Sequence, residues 1–90
     1  MPQKRIKIKI EGQVHGVGFR YNAFLIAKKL GLVGLAKNLE NGSVEIEAQG
    51  DSQKVLDLVE WAKKGPPSAR VLKIDVKEME ILENEREFKI

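Results

Sequence analysis

Three glycines, Gly12, Gly16 and Gly18, fall within seven residues, and Arg20 follows two residues after the last of them. The stretch "EGQVHGVGFRYNAFLIAKKLG" opens as a loose connection and then takes up an apolar pattern of helical spacing. A glycine-rich turn at a helix start gathers several backbone N–H groups around one point, where the helix dipole also favours negative charge. Glycine serves twice there, since it reaches positive φ without strain and lets main chain approach a ligand closely. Arg20 adds a planar fork of donors that matches two oxygens of one phosphate. The chemistry this points to is phosphate binding. On spacing alone, merely steric glycines and a solvated arginine explain the stretch equally well. It is not a Walker loop, because no Lys-Ser or Lys-Thr follows the glycines, and its spacing is wrong for a dinucleotide fingerprint.

Asn38 is the second candidate. It ends a strand shortly before a turn, and its carboxamide both donates and accepts, so it can hold a water in a chosen orientation. Asparagines near turns more often serve backbone hydrogen bonds, so both readings stay open here. His15 reads as a wall of the loop rather than an acid or base, with no partner in the sequence. Val14, Val17 and Phe19 anchor the loop to the core. Trp61 is expected at the edge of the core, Ser43 in a turn and Arg70 as a surface charge at a strand start.

What positions these residues follows from hydrophobic period. "RIKIKIE" places Ile6, Ile8 and Ile10 on one buried face and leaves the basic face wet, a first strand. Ala23, Phe24, Ala27 and Leu30 make a helix stopped by Gly31. "LVGLAKNL" and "VEIEAQ" are strands, with Val44, Ile46 and Ala48 inward. Asn41-Gly42 between them signals a two-residue type I′ hairpin turn. Asp51 or Ser52 caps a second helix with Val55, Leu58, Val59 and Ala62 as its stripe, ended by Gly65-Pro66-Pro67. "RVLKIDV" turns Leu72, Ile74 and Val76 inward. The phase changes by Met79 and Ile81, which implies a bulge near Lys77-Glu78. "NEREFKI" offers a short last strand with Phe88 and Ile90 on one face.

The order is βαββαβ with an added strand: an α+β, ferredoxin-like sandwich with two helices on one face of a mostly antiparallel sheet. The 90 residues make one domain, 1–90, with one modest core. No apolar run reaches membrane-spanning length, and the alternating N-terminus does not resemble a secretory signal. With no cysteine there is no disulfide, thiolate metal site or thiol nucleophile. The single histidine, His15, removes most metal sites and every serine–histidine triad that needs a separately placed base. The net charge of +3 is too small to argue for nucleic acid. The expectation is a cytoplasmic monomer with no cofactor, no bound metal and no membrane or nucleic-acid partner. Abundant Lys and Glu with few Asn and Gln lean toward a thermophilic source.

At the two candidate sites the sequence resembles the acylphosphatase family. "GQVHGVGFR" is similar to that family's first signature, a loop ending in a catalytic arginine. "GLAKNLENGSVEIEAQG" is similar to its second, in which an asparagine precedes a glycine–serine–valine turn. "WAKKGPPSARV" and the closing "FKI" extend the match over nearly the whole chain. The resemblance implies hydrolysis of an acyl phosphate, a carboxyl–phosphate anhydride, to a carboxylate and inorganic phosphate. It implies that Arg20 binds the phosphoryl group and that Asn38 orients the attacking water. The backbone amides of Val14, His15, Gly16, Val17, Gly18 and Phe19 then complete the phosphate cradle. His15 stands where the family usually has glutamine; if its ring touched phosphate, activity would vary with pH near neutrality. Leu35 replaces a frequent aromatic and leaves the acyl preference open.

Two other classes share parts of this pattern. RNA-recognition domains use the same element order but stack bases on aromatics of the third strand, and "VEIEAQ" has two glutamates and no aromatic. A non-catalytic phosphate-binding module would keep the loop and Arg20 without turnover.

Overall fold

The computed structural model describes residues 2–90. Its elements are β1 (Gln3–Gln13), α1 (Phe19–Lys29), β2 (Val33–Asn38), β3 (Val44–Asp51), α2 (Ser52–Ala62), β4 (Arg70–Met79) and β5 (Phe88–Lys89). They form a five-stranded sheet in the order β4-β1-β3-β2-β5. Only the β2–β5 pairing is parallel. This is the expected ferredoxin-like α+β arrangement, with the optional last strand present.

The core follows from the period-two strands. Ile6, Ile8 and Ile10 of β1 stand opposite Ala48, Ile46 and Val44 of β3, and all six are buried. Phe19, Ala23 and Ala27 from α1 and Val55, Leu58, Val59 and Ala62 from α2 close over them in one cluster. Each fully buried isoleucine or leucine contributes roughly 1.5–3 kcal/mol, so this face holds the domain together. The Asp51 carboxylate caps α2 by accepting from Lys54 N at 3.4 Å. Phe19, the first residue of α1, meets Trp61 of α2 at 5.2 Å between tilted ring centroids. That contact fixes the start of α1, one residue before Arg20.

β4 departs from the sequence expectation. Ile74 and Val76 do face Ile10 and Ile8, but β4 is the sheet edge. Val76 is 48% exposed there and Leu72 71%. Pairing with β1 runs without a break from Arg5↔Met79 to Glu11↔Lys73, so there is no bulge at Lys77-Glu78. The irregularity lies at the other end, between Glu11 and Gly12, where Leu72 is left over between paired neighbours. Gly12 sits at φ 135, and a side chain on it would run into the main chain of Arg70 and Leu72. The first of the three glycines therefore serves strand pairing, not the loop.

The basic face of β1 is not uniformly wet either. Arg5 is 1% exposed and lies under the segment joining β4 to β5. Its Nη1 donates to Glu85 at 2.7 Å and to Gln49 at 3.2 Å, and its Nη2 donates to Glu47 at 2.9 Å. Burial works against the guanidinium charge, but the bonds to Glu85 and Glu47 outweigh it and raise the Arg5 pKa. Gln49 exchanges two 2.8 Å hydrogen bonds with the backbone of Leu82. This polar cluster straps the segment across the sheet and delivers β5 beside β2. The changed phase at Met79 is thus the chain turning to this second face, where Met79 stands opposite Arg5.

Candidate active site

β1 and β2 both run antiparallel to β3, so they point the same way although β3 separates them. The loop after β1 and Asn38 at the end of β2 consequently emerge at one end of the sheet. A cleft of about 180 Å³ opens there, and both Arg20 and Asn38 line it. Gly16 and Gly18 form part of its wall.

Val14 and Phe19, 1% and 2% exposed, pin the loop to the core at both ends, and Val17 packs against it. Between them Gly16 and Gly18 take φ of 71 and 78. Nothing stands within 4 Å of where a side chain on Gly16 would go, so the left-handed backbone alone calls for glycine there. Gly18 is the N-cap of α1 and offers no side-chain acceptor, and the first turn holds no acidic residue. The leading N–H groups of α1 therefore have neither a side-chain cap nor a first-turn carboxylate against them. Arg20 places a cation at this positive helix end, an arrangement that is unfavourable until an anion joins it. Among the described residues, no salt bridge involves Arg20. Asn22 braces the loop's end, its Nδ2 donating to the Gly18 carbonyl at 2.8 Å.

The turn after Asn38 differs from the expected type I′ hairpin. Gly42 has φ 91, but no non-glycine residue among those described has positive φ, so Asn41 cannot fill a type I′ position. The connection is longer: Gly42 N donates to Leu39 O at 3.1 Å and Leu39 N to Ser43 O at 2.9 Å. Asn41 uses its side chain instead, with Oδ1 accepting from Ser43 N at 3.1 Å and Ser43 Oγ at 2.6 Å. Turn chemistry thus belongs to Asn41 and Ser43. Among the described residues no hydrogen bond of the Asn38 carboxamide occurs, and its exposed side chain is free to meet a ligand or water.

Two residues line the cleft that the sequence reading left out, Tyr21 and Ile90, both more than half exposed. Tyr21 follows Arg20 directly, so its position was within reach of that reading. Ile90 reaches the cleft through the parallel β2–β5 pairing, in which Gly34 faces Phe88 and Leu35 faces Lys89. His15 and Val17 stand outside the lining. The His15 ring turns toward the hairpin, its Nε2 2.8 Å from the Ser43 carbonyl oxygen. Among the described residues, no group of three or more His, Asp or Glu side chains is placed to hold a metal. No helix among them is long and apolar enough to cross a membrane.

The acylphosphatase family model matches residues 6–90. The chain belongs to the acylphosphatase family. It is 48% identical over 85 residues to an acylphosphatase of Acaryochloris marina, covering 94% of this chain and 90% of that one. An acylphosphatase of Chlorobaculum tepidum matches at 43% over 90 residues, with 100% and 98% coverage. Among solved structures, an acylphosphatase from Bacillus subtilis superposes with a TM-score of 0.92 at 39% identity, covering 97% of each chain. Family membership supports hydrolysis of a small-molecule acyl phosphate.

Proposed function

We propose that this protein hydrolyses the carboxyl–phosphate bond of an acyl phosphate without a metal, using Arg20, the loop amides and a water oriented by Asn38. The observation that carries this reading is that Arg20 and Asn38, the first without a salt bridge and the second without a side-chain hydrogen bond among the described residues, line one cleft at the start of α1. In the reaction the phosphoryl oxygens lie against the amides of residues 14–19 and the Arg20 fork. Asn38 holds the water on the side away from the acyl group. The water oxygen bonds to phosphorus as the bond from phosphorus to the acyl oxygen breaks, and the electron pair leaves with the carboxylate. That leaving group departs as a stable anion, so no general acid is needed. The water's proton passes to a phosphate oxygen, so no separate base is needed either. Phosphoryl transfer asks chiefly for positioning and for charge around the equatorial oxygens. One arginine and a ring of amides supply both.

The test is turnover of benzoyl phosphate by the purified protein with and without excess EDTA. We expect phosphate release at an unchanged rate in chelator. Loss of activity with EDTA and recovery with magnesium would refute metal independence. Absence of turnover under both conditions, with phosphate still binding, would reduce the protein to a phosphate-binding module.

A further inference from the structure

The geometry points to His15 as a positioning residue: its side chain ties the phosphate loop to the strand end that carries Asn38. The Ser43 carbonyl is the anchor. It is an acceptor only, so the nitrogen 2.8 Å away must carry the proton, which fixes the ring as the Nε2–H form. The same carbonyl accepts from Leu39 N at 2.9 Å, and Leu39 is the residue after Asn38. Both of its lone pairs are thus used, one by the loop and one by the backbone next to the proposed water holder. Ser43 is itself 2% exposed, and its N–H and hydroxyl are both held by Asn41 Oδ1, which fixes the anchor in the turn. Val17 packs on the core and Asn22 holds the Gly18 carbonyl, but among the described residues His15 makes the loop's one side-chain hydrogen bond to the hairpin. The bond therefore helps to set how far the phosphate cradle stands from Asn38, and with it where a water held by Asn38 lies relative to phosphorus.

This inference rests on the hydrolase reading above. A small error in attack geometry costs rate far more than it costs phosphate binding. His15→Ala is therefore expected to lower kcat roughly tenfold and leave KM for benzoyl phosphate within about twofold. His15→Gln keeps an N–H donor of similar reach and should recover most of the loss. The decisive comparison is His15→Ala placed in an Asn38→Ala background. A residue that acts through Asn38 has nothing left to position there, so the second change should cost less than about twofold. Multiplying losses, a rise in KM alone, no loss at all, or a Gln variant no better than Ala would each overturn the proposal. His15 is exposed, and a thermal melt shows whether the Ala variant is folded. If wild type fails to hydrolyse acyl phosphates, the hydrolase reading falls, while the contact is still judged by the ring ¹⁵N shifts. A protonated Nε2 in the neutral ring supports the tie, and a protonated Nδ1 excludes it.

Discussion

Replacing Arg20 with glutamine is expected to lower kcat/KM by on the order of 10³-fold or more, through a raised KM and a reduced kcat together. The guanidinium is the cation of the cleft, and no carboxylate of the chain neutralises it among the described residues. In the proposed mechanism it meets the phosphoryl oxygens in the ground state, which would set the KM effect. Charge then spreads over those oxygens as the bond to the acyl group breaks, and the same fork binds harder, which sets the kcat effect. A loss of 10³ corresponds to about 4 kcal/mol of transition-state stabilisation. Lysine should rescue poorly, because a point charge cannot reproduce two parallel N–H donors. Stability supplies the control. Arg20 stands at the positive end of α1 with no acidic neighbour in the first turn, so Arg20→Gln should not lower the melting temperature. An active Arg20→Gln enzyme, measured by steady-state kinetics on benzoyl phosphate, would remove the arginine from the mechanism.

Asn38→Ala should separate from this in kind. In the proposed mechanism its carboxamide touches the water and hardly the substrate, so KM should stay near the wild-type value while kcat falls about 100-fold or more. A loss confined to kcat marks an interaction used mainly in the transition state. The adjacent turn does not confound the test, because its hydrogen bonds come from Leu39, Asn41, Gly42 and Ser43. The variant is therefore expected to fold with near wild-type stability. Turnover at the wild-type rate by a folded Asn38→Ala protein would mean that the water has another holder.

Much of the scaffold was legible because it is written in local period. Alternating isoleucines fixed the face of β1, and residues spaced by three and four fixed the stripes of both helices. The two candidate side chains were legible for a related reason: each lies at the end of an element, where a connection begins. What escaped the reading depends on partners far along the chain. Arg5 sits in an alternating strand and reads as a wet residue, yet its acceptor Glu85 is 80 residues away. Gly12 reads as one more loop glycine until β4 closes against it. The exposure of Leu72 and Val76 follows from β4 being the edge of the sheet, which period does not encode. Asn41-Gly42 carries a strong turn signal, but the Asn41 side chain bonded to Ser43 selects a longer loop than type I′. Ile90 reached the cleft only through the parallel pairing of β5, which crosses the whole sheet from β4.

The measurement that bears most directly on the mechanism is a crystal structure with inorganic phosphate, the reaction product, bound from solution. The account predicts the anion against the amides of residues 14–19, bridged by both arms of the Arg20 guanidinium, with a water between it and the Asn38 carboxamide. Phosphate bound only elsewhere, with the loop empty and Arg20 turned to solvent, would contradict it.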